Sequence, residues 1–248
     1  MPLVTIEKQN SVAILRLNNG TPNAIGPPML EALETALNTG NDPWAGLVLA
    51  GNTKFFSMGF DLPHLLKLDR SAMADFFDRF NAICIRLLTL PIPTACAIAG
   101  HAVAGGFILA LTCDFRICGD GRQKVGLNEV PLGVPVPYLA DLMFRQIAGD
   151  RTATAMGYAG TLIDVAQAHQ KGIVDSTHPT ETVETAAVQA IRTLADLPAS
   201  ALAATKAHRV GAIAEQYARQ RREKNEAFLD CWFNPDTQAL LEAAARKF

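Results

Sequence analysis

The chain has 248 residues, 49% of them hydrophobic and 19% charged, with a formal net charge of −2. That length and apolar content build a core without disulfides or metal, and suit one large α/β domain or a domain with a helical appendage. Scattered basic residues on a slightly acidic chain exclude the basic face of a nucleic-acid binder, and no apolar run reaches the roughly 18 uninterrupted residues of a membrane span.

The start, Met1-Pro-Leu-Val-Thr-Ile-Glu-Lys, lacks a signal or transit profile, so a cytoplasmic, reducing location is the default expectation. Residues 4–17 alternate with period two and break at Gln9-Asn10-Ser11, which predicts a hairpin of strands over 4–7 and 12–17. Residues 27–37 carry apolar positions at helical spacing and open on Pro27, where a missing N–H is harmless. The run Ala45-Gly-Leu-Val-Leu-Ala50 reads as a buried parallel strand. A helix over 72–88, a strand over 94–99, a helix over 104–111 and a strand over 115–118 follow. Strands alternating with helices imply βαβ crossovers and a largely parallel sheet.

From about residue 137 helical pattern dominates, over 138–148, 153–159, 165–171, 182–194, 200–210 and 214–230. No long linker precedes this tail, and the division falls near residue 190, with a core over 1–190 and a helical region over 191–248. The ending Arg246-Lys247-Phe248 is not a Ser-Lys-Leu peroxisomal address. Arg219, Arg221, Arg222 and Lys224 read as a solvated helix face, with an anion contact as the alternative. The five cysteines are an odd number without zinc spacing, and Cys84, Cys96, Cys113 and Cys118 sit in apolar surroundings as buried thiols. His64, His169, His178 and His208 form no metal-ligand spacing with acidic neighbours, so no metal is expected.

Three segments carry chemistry. Lys54-Phe-Phe-Ser-Met-Gly-Phe-Asp-Leu62 follows a buried strand, and its Gly between bulky residues marks a sharp turn that leaves N–H groups unpaired. Such groups bind an anion or a developing oxyanion, although an ordinary strand-to-helix loop has the same pattern. Gly100-His-Ala-Val-Ala-Gly-Gly-Phe-Ile-Leu-Ala110 again joins a strand to an apolar helix, at paired glycines. Those glycines admit another molecule to the backbone, or simply permit tight helix–sheet packing. His101 beside them reads as structural rather than as pocket lining. In Val125-Gly-Leu-Asn-Glu-Val-Pro-Leu-Gly-Val-Pro-Val-Pro137, Glu129 is the only ionisable group. A carboxylate among such neighbours loses solvation, and its pKa rises toward the range of a general base.

Four fragments in this order resemble the enoyl-CoA hydratase/isomerase (crotonase) family over almost the whole chain. They are Pro22-Asn-Ala-Ile, Phe56-Ser-Met-Gly-Phe-Asp-Leu, Ala104-Gly-Gly-Phe-Ile-Leu-Ala-Leu-Thr-Cys-Asp-Phe-Arg and Ala166-Gln-Ala-His-Gln-Lys-Gly-Ile-Val-Asp175. The resemblance implies a crotonase-like superhelix of repeated ββα units with a C-terminal helical trimerisation region. It also implies a coenzyme A thioester as substrate, no cofactor, and a homotrimer or hexamer.

Carried over residue by residue, the resemblance makes the amides of Phe60 and Gly105 the oxyanion hole and Glu129 the catalytic carboxylate. Substrate contacts would come from Ser57, Met58, Gly59, Phe60, Asp61, Gly105, Gly106, Ile108 and Asn128. Family hydratases use two glutamates to activate water; the second matches Glu129, and the first falls at Ile108, which does no acid–base chemistry. The pattern therefore resembles the family's Δ3,Δ2-enoyl-CoA isomerases, with one carboxylate that moves a proton from C2 to C4. Hydration by some other group, or a non-catalytic acyl-CoA binder on the same scaffold, are the competing expectations. Met58, Phe60, Phe107 and the valines near Pro135 are the candidates for shaping the pocket, and Phe228, Trp232 and Phe233 for core filling or contacts between subunits.

Overall fold

The computed structural model describes residues 2–38 and 44–246; Met1 and the terminal Lys247-Phe248 read above lie outside them. Val4–Gln9 (β1) and Val12–Leu17 (β2) pair antiparallel, from Val4 opposite Leu17 to Gln9 opposite Val12. The turn between them uses Asn10 at φ 56°, a left-handed conformation that asparagine tolerates. Pro27–Leu37 (α1) follows and buries Met29, Leu30 and Leu33, one stripe of the helix.

Next come Gly46–Ala50 (β3), Phe55–Ser57 (β4), Leu62–Leu65 (α2), Arg70–Leu88 (α3), Thr94–Ile98 (β5), His101–Val103 (β6), Gly105–Leu111 (α4), Phe115–Gly119 (β7) and Lys124–Gly126 (β8). Tyr138–Ala159 (α5), Ile163–Asp164 (β9), Val165–Gln170 (α6), Ser176–His178 (β10), Val183–Ala195 (α7), Ala199–Trp232 (α8) and Pro235–Ala245 (α9) complete the described chain.

The strands form two sheets. One has six strands in the order β1-β2-β3-β5-β7-β10, parallel from β2 onward. Its central strands β3 and β5 are buried along their whole length, which requires apolar cover on both faces. On one face lie Val183, Ala187 and Ile191 of α7, against Val48, Ala95 and Ile117. The other face belongs to the main core with α1, α3, α4 and α5. Position 190 therefore falls inside a helix whose Ile191 is fully buried on the sheet.

The second sheet, β4-β6-β8-β9, consists of two- and three-residue strands, with β4, β6 and β8 mutually parallel. These pieces are too short to show a period-two pattern, and the sequence predicts no strand for them. Two helix expectations also change. The predicted helices over 138–148 and 153–159 are one element kinked at Gly149, whose φ of 76° breaks the helical geometry. Those over 200–210 and 214–230 are the single 34-residue α8, because an isolated Gly211 costs only about 1 kcal/mol in a helix.

Near its start α8 is pinned by Lys206, whose buried Nζ reaches Asp114 Oδ2 at 2.7 Å and donates to the Ile92 carbonyl at 2.9 Å. Arg116 Nη2 bonds Asp175 Oδ2 at 2.9 Å and Arg116 Nε bonds the Ile173 carbonyl, tying β7 to the Gly-Ile-Val-Asp segment. Cys84, Cys96, Cys113 and Cys118 are buried free thiols. Among the described residues no helix is long and apolar enough to cross a membrane.

Candidate active site

Because β4, β6 and β8 run parallel, their carboxyl ends open on one side, where α/β folds usually place ligands. The three exits carry Met58-Gly59-Phe60, Ala104-Gly105 and Leu127-Asn128-Glu129, the three segments singled out from the sequence. They meet at a cavity of about 260 Å³. Met58, Phe60, Gly105, Ile108, Asn128 and Glu129 all line it.

The first segment is braced by Pro22-Asn23-Ala24-Ile25. Asn23 is fully buried, and its Nδ2 donates to the carbonyls of Phe55 and Phe56, both at 3.2 Å. Ser57 Oγ donates to the Asn23 carbonyl at 2.7 Å and accepts the Gly59 amide at 3.1 Å. Ile25 bridges Phe60 through bonds from Ile25 N to the Gly59 carbonyl and from Asp61 N to the Ile25 carbonyl. In that parallel bridge the Phe60 N–H points away from Ile25, and it donates to no protein group among the described residues. Gly59 sits at φ +95°, which leaves the next amide turned out of the strand.

The second amide is set by a stranger conformation. Ala104 has φ 49° and ψ −125°, the geometry of the first central residue of a type II′ turn, where glycine is usual. Holding alanine there costs roughly 1–3 kcal/mol. Its ψ angle directs the Gly105 N–H, and as the first residue of α4 that amide has no partner inside the helix. Both candidate donors are thus free, and each follows a residue at positive φ. Gly106 lets the two segments touch, since a Cβ there would stand 2.2 Å from the Ser57 carbonyl oxygen.

Glu129 begins a 3₁₀ turn, Val130–Leu132, and its carbonyl accepts the amides of Leu132 at 2.9 Å and Val134 at 3.3 Å. The residue is 6% exposed, and Oε2 has no hydrogen-bond partner among the described residues. Burial pushes its pKa up to about 8, opposed only in part by its own backbone amide. Ile108, 1% exposed, lines the same cavity and has no polar group to offer. Asn128 Oδ1 is likewise buried without a partner, as is Trp232 Nε1.

Several expected contacts fall outside the wall. Ser57, Gly59 and Gly106 are scaffold beneath it, and Asp61 caps α2 by accepting the His64 amide at 3.2 Å. Phe107 points into the core and meets Phe144 edge-on at 5.8 Å, so it does not shape the pocket; of the valines near Pro135, Val134 does. His101 Nδ1 accepts the Lys124 amide at 2.9 Å and steadies the join of β6 to β8, and burial with the Lys124 charge lowers its pKa. Arg219, Arg221 and Arg222 are exposed on α8 and stand apart from the cavity.

The sequence reading missed how the cavity is closed. Beyond Leu62, Val103 and Ala104, its wall comes from Leu132 and Pro137, from Phe228 and Trp232 of α8, and from Leu241 and Ala244 of α9. Phe228 and Trp232 fill the core as expected and also line the same chamber as Glu129, whereas Phe233 does not. Spacing alone could not show this, because α9 must fold back before they meet it.

The enoyl-CoA hydratase/isomerase family model matches residues 7–243. Human mitochondrial enoyl-CoA delta isomerase 1 is 30% identical over 88% of this chain and 74% of its own length. A probable enoyl-CoA hydratase of Mycolicibacterium paratuberculosis is 32% identical over 88% of this chain and 86% of its own. Among solved structures, human mitochondrial Δ3-Δ2-enoyl-CoA isomerase superposes with a TM-score of 0.91 at 27% identity, covering 99% of this chain and 97% of that one. Matched from the first hairpin to the last helix, and carrying both free amides and the buried glutamate at one cavity, the chain belongs to the enoyl-CoA hydratase/isomerase family of the crotonase superfamily.

Proposed function

We propose that the protein shifts the double bond of a 3-enoyl-CoA to give the 2-enoyl-CoA. One observation carries this reading: a single desolvated carboxylate shares a chamber with a buried isoleucine and two free amides. Glu129, as carboxylate, removes a proton from C2. The thioester oxygen gains the charge as the dienolate forms, and the amides of Phe60 and Gly105 receive it. The same carboxyl then returns the proton at C4, which restores the carboxylate and leaves the double bond between C2 and C3. Base and amides suffice, so no cofactor is called for. One chamber-facing carboxylate serves both proton transfers, and its raised pKa lets it act as acid in the second.

Hydration is favoured by the relatives named as probable hydratases, but among the described residues the cavity offers no second carboxylate beside Glu129 to activate water. A non-catalytic acyl-CoA binder would have no use for a carboxylate kept buried without a partner. A homotrimeric or hexameric assembly and a cytoplasmic location belong to the same reading. Assays of the purified protein on 3-enoyl-CoA and 2-enoyl-CoA test it. Isomerisation of the first should exceed hydration of the second by about 10²-fold or more, the lower range for one positioned acid–base group. Comparable hydration would sink the isomerase reading.

A further inference from the structure

The apolar residues of the cavity that follow Glu129 in the chain include Leu132, Val134, Phe228, Trp232, Leu241 and Ala244. A run of rings links the Phe60 segment to α8 through Phe77, which lies in the core behind the cavity. Phe60, which carries one of the free amides, meets Phe77 edge-on at 6.5 Å; Phe77 stacks on Phe228 at 4.1 Å, and Phe228 on Trp232 at 6.0 Å. The run ends at Trp232, which lines the cavity and is 1% exposed.

Beyond Trp232 the chain doubles back and is held there. Asn234 Oδ1 accepts the Asp236 amide at 2.9 Å, Gln238 Nε2 donates to the Trp232 carbonyl at 2.6 Å, and Thr237 Oγ1 donates to the Gly133 carbonyl at 3.2 Å. These bonds dock α9 against the Glu129 loop, so Leu241 and Ala244 stand beside Trp232 on the cavity. That side of the cavity is closed by hydrogen-bonded helices of the same chain.

We propose that Trp232, with Leu241 and Ala244, forms the end wall of the acyl chamber and sets an upper limit on acyl length, selecting short and medium chains over long ones. The proposal rests on the acyl-CoA reading above. Each methylene that finds room against these side chains adds about fourfold to kcat/KM. The first that meets the wall must displace a packed helix, and the gain reverses.

The test is a series of trans-3-enoyl-CoAs from hexenoyl to hexadecenoyl, assayed on the wild type, Trp232→Ala and Ala244→Leu. The wild type should climb, peak and fall before hexadecenoyl-CoA. Trp232→Ala should move the peak to longer chains, and Ala244→Leu, which keeps the core intact, to shorter ones. If Trp232→Ala does not fold, Ala244→Leu decides alone. Hexadecenoyl-CoA turned over as well as octenoyl-CoA, or an unmoved peak in the folded variants, overturns the proposal. Calorimetry with saturated acyl-CoAs of the same lengths reads the limit without turnover. A Kd profile with the same ceiling upholds the wall even if no isomerisation occurs, and a profile without one refutes it.

Discussion

Glu129→Gln should lower isomerisation kcat by about 10²–10⁴-fold while acyl-CoA still binds. The amide matches the carboxyl in shape but takes no proton, so only the chemical step is lost. Unchanged turnover would place the base elsewhere. In the wild type, kcat/KM should rise with pH until the carboxyl is ionised and level off above about 8. A flat profile from pH 5 to 9 would contradict a desolvated base.

The same carboxyl makes a stability prediction of opposite sense. Its ordinary value is 4.5 and its folded value about 8, so between those pH values the folded state keeps a proton that the unfolded state has released. Stability therefore falls as pH rises through that window, and below it the carboxyl is neutral in both states. Glu129→Gln removes this loss. The variant should gain on the wild type from pH 5 to pH 9, by on the order of a few kcal/mol at most. Denaturant midpoints at the two pH values measure it, and an equal difference at both would refute the burial account.

Gly106→Ala is expected to be nearly as damaging to turnover, through the other half of the site. Its Cβ would lie 2.2 Å from the Ser57 carbonyl oxygen and 2.7 Å from the Ser57 carbonyl carbon and Cβ. Backbone cannot yield as a side-chain tip does, so α4 must move away from the Phe60 segment and the two amides part. Loss of one oxyanion donor costs about 10²–10³ in kcat, and overpacking adds about 1–3 kcal/mol of instability. Gly211→Ala, with open space around its Cβ, is the matching control and should leave kcat untouched. Equal kcat in the two variants would show that the contact between the segments does not hold the amides.

Glu129 was legible because a lone charge in an apolar run carries its own physical signal, and the long helices and central strands were legible from period. The short strands β4, β6 and β8 were not, since three residues cannot display alternation. Yet their parallel pairing is what brings Phe60, Gly105 and Glu129 to one chamber. Asn23 was visible only as part of a resemblance; its role depends on carbonyls more than thirty positions away. Phe107 misled because its neighbours in sequence line the cavity while its own ring turns into the core. Trp232 lies in the core as its pattern suggests, but its further place on the cavity depends on the fold-back of α9.

The peptide joining Ala104 to Gly105 carries both the molecule's backbone strain and a donor for the reaction. A glycine at 104 would adopt the same angles freely, and would also let the amide turn elsewhere. Relief of strain and fixed aim of the donor thus pull this position in opposite directions, and alanine at 104 keeps the donor's aim at the cost of strain.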